Sequence, residues 1–202
     1  MIAIVDYGVG NLFSLQSSFA AIGAKAVVTG EEKVLAEADR VVLPGVGAFG
    51  DAAQKLRATG LDQAVLREAK RGKPLLGICL GMQLLLDRSL EFGSHEGLSL
   101  IPGEVRPLSE ITPDGLKIPA IGWNALHLTK VSPLFRYVRE GDCVYFVHSY
   151  YGAKCEPSVI ATAEYGAPVT AAVQRDNVMG CQFHPEKSGR VGLNILRAFA
   201  EV

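Results

Sequence analysis

Short, mostly apolar runs alternate with stretches of helical period through the first half of the chain. Ile2 to Val5 reads as a buried strand, Ala26 to Thr29 as a second strand and Arg40 to Leu43 as a third, buried one. Between the first two, Leu12, Leu15, Phe19 and Ile22 recur at helical spacing up to Gly23, and Glu31 to Ala38 makes a shorter helix before the third. A βαβαβ half of a doubly wound parallel sheet is therefore complete by residue 43. Asp51 to Thr59 and Leu61 to Arg71 are helical by period, and Gly72-Lys73-Pro74 stops them before an apolar run, Pro74-Leu75-Leu76, that gives way to a helix-like run from Gly81 to Asp87.

The texture changes from about residue 98. Leu98 to Ile101, Ile118 to Ile121, Val144 to Val147, Val159 to Ala163, Thr170 to Gln174 and Val178 to Phe183 are apolar and short, with Pro, Gly, Asp and Asn between them. Arg175-Asp176-Asn177 suits a hairpin turn, and a long helical period returns only at Gly192 to Val202. The pattern predicts an α/β fold with a doubly wound, mostly parallel sheet, of the flavodoxin-like kind, and additional antiparallel strands in the C-terminal half. With no repeat, low-complexity tract or linker, residues 1–202 are expected to form one domain.

Composition narrows the function. A chain with 49% hydrophobic residues and a formal net charge of −1 suits neither disorder nor electrostatic binding to nucleic acid. No apolar run approaches the roughly twenty residues of a membrane helix, and the N-terminus opens as a strand rather than a signal peptide. Cys79, Cys143, Cys155 and Cys181 lie far apart, as expected of thiols in a reducing cytoplasm, where each is a core filler or a reagent.

Only Cys79 has a local setting that argues for chemistry. It stands in Gly77-Ile78-Cys79-Leu80-Gly81-Met82-Gln83, where a strand passes into a helix with no room for an ordinary loop, and the flanking glycines let the backbone close. The helix amides beyond it favour a thiolate. Upstream, Pro44-Gly45-Val46-Gly47-Ala48-Phe49-Gly50 leaves the C-terminal edge of a parallel strand, where such sheets place their sites. It is either a flexible loop or one that presents backbone amides, and glycines beside Val46 let a peptide unit turn either way. Gly8-x-Gly10 does not make a dinucleotide fingerprint, because Phe13 stands where the third glycine belongs.

A cysteine nucleophile needs a base and a group that orients it. His95 and His127 lie in polar contexts, and His148 ends an apolar strand. His184 ends the run Val178 to Phe183 and is followed by Pro185 and Glu186; the proline keeps the segment from closing into a helix, so the carboxylate can fold back to the imidazole. The other view is a strand-end histidine beside a surface glutamate. Cys143, His148, Cys181 and His184 also look like two zinc-binding pairs, but offsets of five and three put the members of each pair on opposite strand faces. No metal or cofactor is expected.

Taken together, the Gly-x-Cys-x-Gly-x-Gln motif at 77 to 83, the Pro-Gly-Val-Gly loop at 44 to 47 and His184-Pro185-Glu186 resemble the class I glutamine amidotransferases, over nearly the whole chain. Asp6-Tyr7-Gly8-x-Gly10-Asn11-Leu12, Gly122-Trp123-Asn124 and Phe146-Val147-His148-Ser149-Tyr150 are similar to the branch of that family that serves histidine biosynthesis. The resemblance implies Cys79 as nucleophile, His184 as acid and base, and Glu186 as its orienter. It also implies an oxyanion hole from the amide of Leu80 and one in the Val46-Gly47 segment, and contacts from Gly45, Gln83 and Glu91 to the substrate, L-glutamine. Leu90 and Phe92 depart from the acidic pair expected around Glu91. The ammonia would pass to a cyclase subunit, a (β/α)₈ barrel in a heterodimer, which makes imidazole glycerol phosphate and an aminoimidazole carboxamide ribotide. Trp123, read in a Gly-Trp-Asn turn, would face the barrel with Tyr150 and Lys187 nearby. Two rivals remain at this point: another amidotransferase subunit or a cysteine peptidase, and a docking module without catalysis.

Overall fold

A computed structural model of the protein describes residues 1–202. Its principal sheet is built from β1 (Ile2–Val5), β2 (Ala26–Thr29), β3 (Arg40–Leu43) and β4 (Leu75–Ile78), which run parallel in the order β2-β1-β3-β4. These strands alternate: Ala3, Val5, Val41, Leu43 and Leu75 face one core, while Ile2, Ile4, Val42, Leu76 and Ile78 face the other. Two hydrophobic layers therefore lie on opposite sides of the sheet.

Helix α1 (Leu12–Ala21) covers the second layer with Leu15 and Phe19. Helices α2 (Glu32–Glu37), α3 (Phe49–Ala58) and α4 (Leu61–Lys70) cover the first, with Leu35, Phe49, Leu56 and Val65 fully buried there. Burying each such large side chain contributes on the order of 2 kcal/mol. Gly60, at φ +73, ends α3 and opens α4, a left-handed corner that glycine adopts without strain. Helix α5 (Leu80–Leu84) is only five residues long, shorter than the expected run to Asp87.

Between α5 and the next long element, β5 (Arg88–Ser89), β6 (His95–Glu96) and β7 (Glu104–Pro107) begin a second sheet. The apolar run Leu98 to Ile101, expected as a strand, is not one. Its amides donate to Leu84, Leu85 and Leu86 carbonyls at 2.8 to 3.2 Å, satisfying the C-terminal end of α5. Strand β8 (Ala120–Ala125) carries Trp123, so the Gly-Trp-Asn segment is a strand and not a turn. Glycine and asparagine on either side of Trp123 suggest a turn by residue type, but Gly122, at φ +146, lies within the strand.

Strands β9 (His127–Leu128), β10 (Cys143–His148) and β11 (Tyr150–Ala153) follow, with β10 antiparallel to β8 and β11 antiparallel to β7. Strands β12 (Val159–Glu164), β13 (Pro168–Arg175) and β14 (Val178–Cys181) complete the eight-stranded sheet, in the order β2-β1-β3-β4-β14-β13-β12-β9. The turn after Arg175 makes β13 and β14 a hairpin, and this reversal lays β14 parallel to β4. Helix α6 (Gly189–Glu201) packs Ile195, Leu196 and Phe199 beside α1. The sheet is thus doubly wound and mixed, parallel on one side and antiparallel on the other. No helix is long and apolar enough to cross a membrane.

Candidate active site

Three adjacent parallel strands, β3, β4 and β14, deliver the residues singled out by sequence to one edge of the sheet. Cys79 leaves β4 at φ 54, ψ −112, a conformation costing about 1–3 kcal/mol for a residue with a side chain. Its neighbours explain how the turn closes. A Cβ on Gly81 would lie 1.8 Å from the Leu43 carbonyl oxygen, and one on Gly77 would lie 2.6 Å from the Gly81 oxygen. The Cys79 amide donates to Cys181 O at 2.7 Å, which pins the turn to β14.

Strand β14 stops at Cys181 rather than running through Phe183 as expected. Pro185 then opens a 3-10 turn, Pro185–Lys187, where its missing N–H is no loss. That turn, rather than an extended segment, brings Glu186 back, so that its Oε1 lies 2.8 Å from Nδ1 of His184, with both side chains buried. Ser188 holds His184 in place by donating to His184 O at 2.6 Å and accepting from the Tyr145 amide at 2.9 Å. Burial works against charge on His184, but its hydrogen bonds to the Cys79 sulfur and to Glu186 prevail and push its pKa up to about 9. With Nδ1 on the carboxylate, Nε2 is the nitrogen left for the sulfur.

Pro44 to Ala48 crosses above the cysteine turn. Tyr7, fully buried, donates its hydroxyl to Pro44 O at 2.7 Å; burial, and then the nearby Cys79, push its phenol well above the ordinary range. Gly45 sits so close to the turn that a Cβ there would lie 2.9 Å from the Gly81 amide, Leu80 Cβ and the Tyr7 hydroxyl. Gly47, at φ +92, has nothing near it, and neither the Val46 nor the Gly47 amide makes a hydrogen bond within the chain. At the far end, Glu91 accepts from the Phe49 amide at 2.6 Å. The loop is fastened at both ends and free in the middle.

A cavity of about 480 Å³ opens over the sulfur, lined by Val46, Gly47, Cys79, Leu80, Gln83, Glu91, Tyr150, His184 and Lys187 among others. Neither Gly45, which is buried against the cysteine turn, nor Trp123 lines it. Trp123 is 54% exposed on β8 and packs edge-on against Tyr145, with ring centroids 6.1 Å apart. Tyr150 packs edge-on against the exposed Phe92, 6.4 Å away. A larger cavity of about 1000 Å³ between α3 and residues 91–96 shares Glu91 but holds neither the cysteine nor the base. Cys143 is exposed and Cys181 buried, with no ligand set between them.

Sequence reasoning did not reach the contacts of three groups here. Tyr7 lay inside a glycine-rich turn that was weighed for nucleotide binding, Glu91 was considered only as a substrate contact, and Gln182, whose Nε2 lies 3.7 Å from the Cys79 sulfur, was passed over inside an apolar strand. For the last, the sequence offered only a polar residue within an apolar run two positions before His184; its full burial is seen in the structure.

The family described as "Glutamine amidotransferase class-I" matches residues 3–201. The chain is 50% identical over 204 residues to the imidazole glycerol phosphate synthase subunit HisH of Wolinella succinogenes, covering all of both chains. It is 48% identical to the protein of that name from Methanothermobacter thermautotrophicus, covering 100% of this chain and 98% of the other. Among solved structures it resembles one described as a glutamine amidotransferase, with TM-score 0.76 at 17% identity and full coverage of both. It also resembles PurLQS from Thermotoga maritima, with TM-score 0.78 at 20% identity, covering 99% of this chain and 97% of that one.

Proposed function

Because the chain belongs to the class I glutamine amidotransferases, we propose that it is the glutaminase subunit of an imidazole glycerol phosphate synthase, in histidine biosynthesis. The observation that carries the chemistry is the buried Glu186–His184 pair beside Cys79, under a loop whose amides are unengaged.

The Cys79 thiolate attacks the side-chain amide carbon of L-glutamine. The oxyanion is taken by the Leu80 amide and by one from the Val46-Gly47 segment; such a donor is worth roughly a hundred- to a thousand-fold in rate. His184, protonated and oriented by Glu186, gives its proton to the leaving nitrogen, and ammonia departs. Water, deprotonated by the same imidazole, then hydrolyses the glutamyl thioester, releasing glutamate and the thiolate. Gln83 and Glu91 hold the substrate, with Glu91 placed for its ammonium group.

Nothing in this site uses ammonia, so the second reaction belongs to a partner, for which a (β/α)₈-barrel cyclase subunit is proposed. Trp123, Ile121 and Val46 are exposed apolar side chains suited to such a contact, with Tyr150 and Lys187 at the cavity. Four free thiols fit a cytoplasmic setting. The family match speaks against a cysteine peptidase, and a base already oriented by a carboxylate speaks against a docking module without catalysis.

Glutamate release from glutamine, measured with and without the cognate barrel, tests the proposal. Turnover is expected to rise with the barrel, because the middle of the glycine loop is free, and Cys79→Ala is expected to abolish it while ammonia-dependent synthesis by the complex persists. Retained turnover in Cys79→Ala would overturn the assignment.

A further inference from the structure

The sulfur of Cys79 has a hydrogen-bonding neighbour outside the Cys-His-Glu set. Gln182 is fully buried, and its Nε2 lies 3.7 Å from Sγ, within reach of an N–H···S bond. A carboxamide can turn either end toward a neighbour, so whatever fixes its direction decides whether the sulfur meets a donor or an acceptor. Here a backbone carbonyl fixes it. Tyr150 O can only accept, and Gln83 Nε2 donates to it at 3.2 Å while giving its other N–H to Gln182 Oε1 at 2.9 Å. His148 Nδ1, 2.8 Å from the same carbonyl, donates to it as well. With its oxygen occupied, Gln182 turns its NH₂ to the sulfur. The reverse orientation would set donor against donor at Gln83 and oxygen against a thiolate, both in a buried place.

We infer that Gln182 is a further catalytic residue, whose carboxamide N–H holds the Cys79 sulfur in its ionised, aimed form, and whose direction is set by the chain Tyr150 O, Gln83, Gln182. The inference rests on Cys79 being the nucleophile. A hydrogen bond to an ionised acceptor is stronger than one to a neutral group, so this donor favours the thiolate that attacks. Gln182 and His184 are alternate residues of one segment, and Cys79 and His184 line the same cavity, so one stretch of backbone sets both the donor to the sulfur and the proposed base. The arrangement also defines how Gln83 meets glutamine: both its N–H groups are spent, so its free oxygen is the end it offers to the substrate.

Alkylation of the full-length protein with iodoacetamide at neutral pH, followed at Cys79 by mass spectrometry, tests this without glutamine present. Gln182→Met keeps the length and removes both polar ends. It is expected to slow Cys79 alkylation about ten- to a hundred-fold, the worth of a charge-assisted hydrogen bond, and to reduce thiolate ultraviolet absorbance measured against Cys79→Ser. Gln83→Met removes the group that fixes the direction of Gln182, and it should slow the same reaction even though no substrate contact is being used. An alkylation rate within two-fold of the parent in folded Gln182→Met, or in Gln83→Met if the first variant does not fold, would overturn the inference while leaving the nucleophile assignment intact. A parent Cys79 no faster than a free thiol would overturn both.

Discussion

Glu91 and Phe49 are joined by a 2.6 Å hydrogen bond from the Phe49 amide to the Glu91 carboxylate, across 42 residues of sequence. One buried side chain thereby anchors the end of the glycine loop and lines the cavity over Cys79, where glutamine is proposed to bind. Two substitutions separate these tasks. Glu91→Gln keeps an oxygen for the Phe49 amide but loses the charge for the substrate ammonium, so KM should rise about ten-fold or more with kcat little changed. Glu91→Ala removes both, and kcat should fall as well; steady-state kinetics with glutamine in the complex measures the split.

Glu186→Gln should cost kcat roughly a hundred- to ten-thousand-fold, because the amide no longer favours the imidazolium or fixes its tautomer. The parent imidazole, followed by NMR, should titrate near pH 9 and the variant lower. Since the folded pKa of His184 lies above its ordinary value of 6.5, its contribution to stability is complete below 6.5 and is lost as pH rises through about 9. Urea unfolding across that window should show this loss in the parent and a smaller one in Glu186→Gln.

Gly45→Ala and Gly47→Ala, two residues apart in one loop, should differ in kind. The methyl at 45 meets the Gly81 amide and Leu80, lifting the loop off the cysteine turn, and glutaminase activity should be lost. At 47 there is open space, so only the φ of +92 is penalised, at about 1–2 kcal/mol. Activity should survive in part there, and thermal unfolding with a glutaminase assay distinguishes the two.

Far from the chemistry, Glu104 is buried among Lys154, Arg106 and Arg88, whose hydrogen bonds, in that order, hold its carboxyl down at about 2. The depressed value means that its contribution to stability is present above about 4.5 and lost as pH falls through about 2. Glu104→Gln should destabilise the protein by about 1–2 kcal/mol at neutral pH and flatten the acid limb of the stability curve. Equal acid sensitivity of parent and variant would count against this.

The parallel half of the sheet and its helices were legible because each element is long or apolar enough to impose a period, from Ile2 to Ile78. The two-residue strands β5, β6 and β9 carry no period at all, and their pairing is decided by what packs around them. Leu98 to Ile101 had the composition of a strand, but the open carbonyls at the end of α5 claimed its amides. Cys79, His184 and Glu186 could be picked out because glycine and proline constrain the backbone around them. Gln182 could not, since its role depends on Gln83 and Tyr150, which only the fold brings to it.

The neighbouring exits of β3, β4 and β14 give the sheet the part of a ruler. Parallel strands stand about 4.8 Å apart, a spacing fixed by peptide hydrogen bonds and indifferent to side chains. The separations between the glycine loop, Cys79 and His184 are inherited from that graduation, so substitutions in either hydrophobic layer can weaken the protein without recalibrating the chemistry proposed for it. A shift of one rung between β4 and β14 would leave every one of these residues present and set His184 and Glu186 out of register with Cys79.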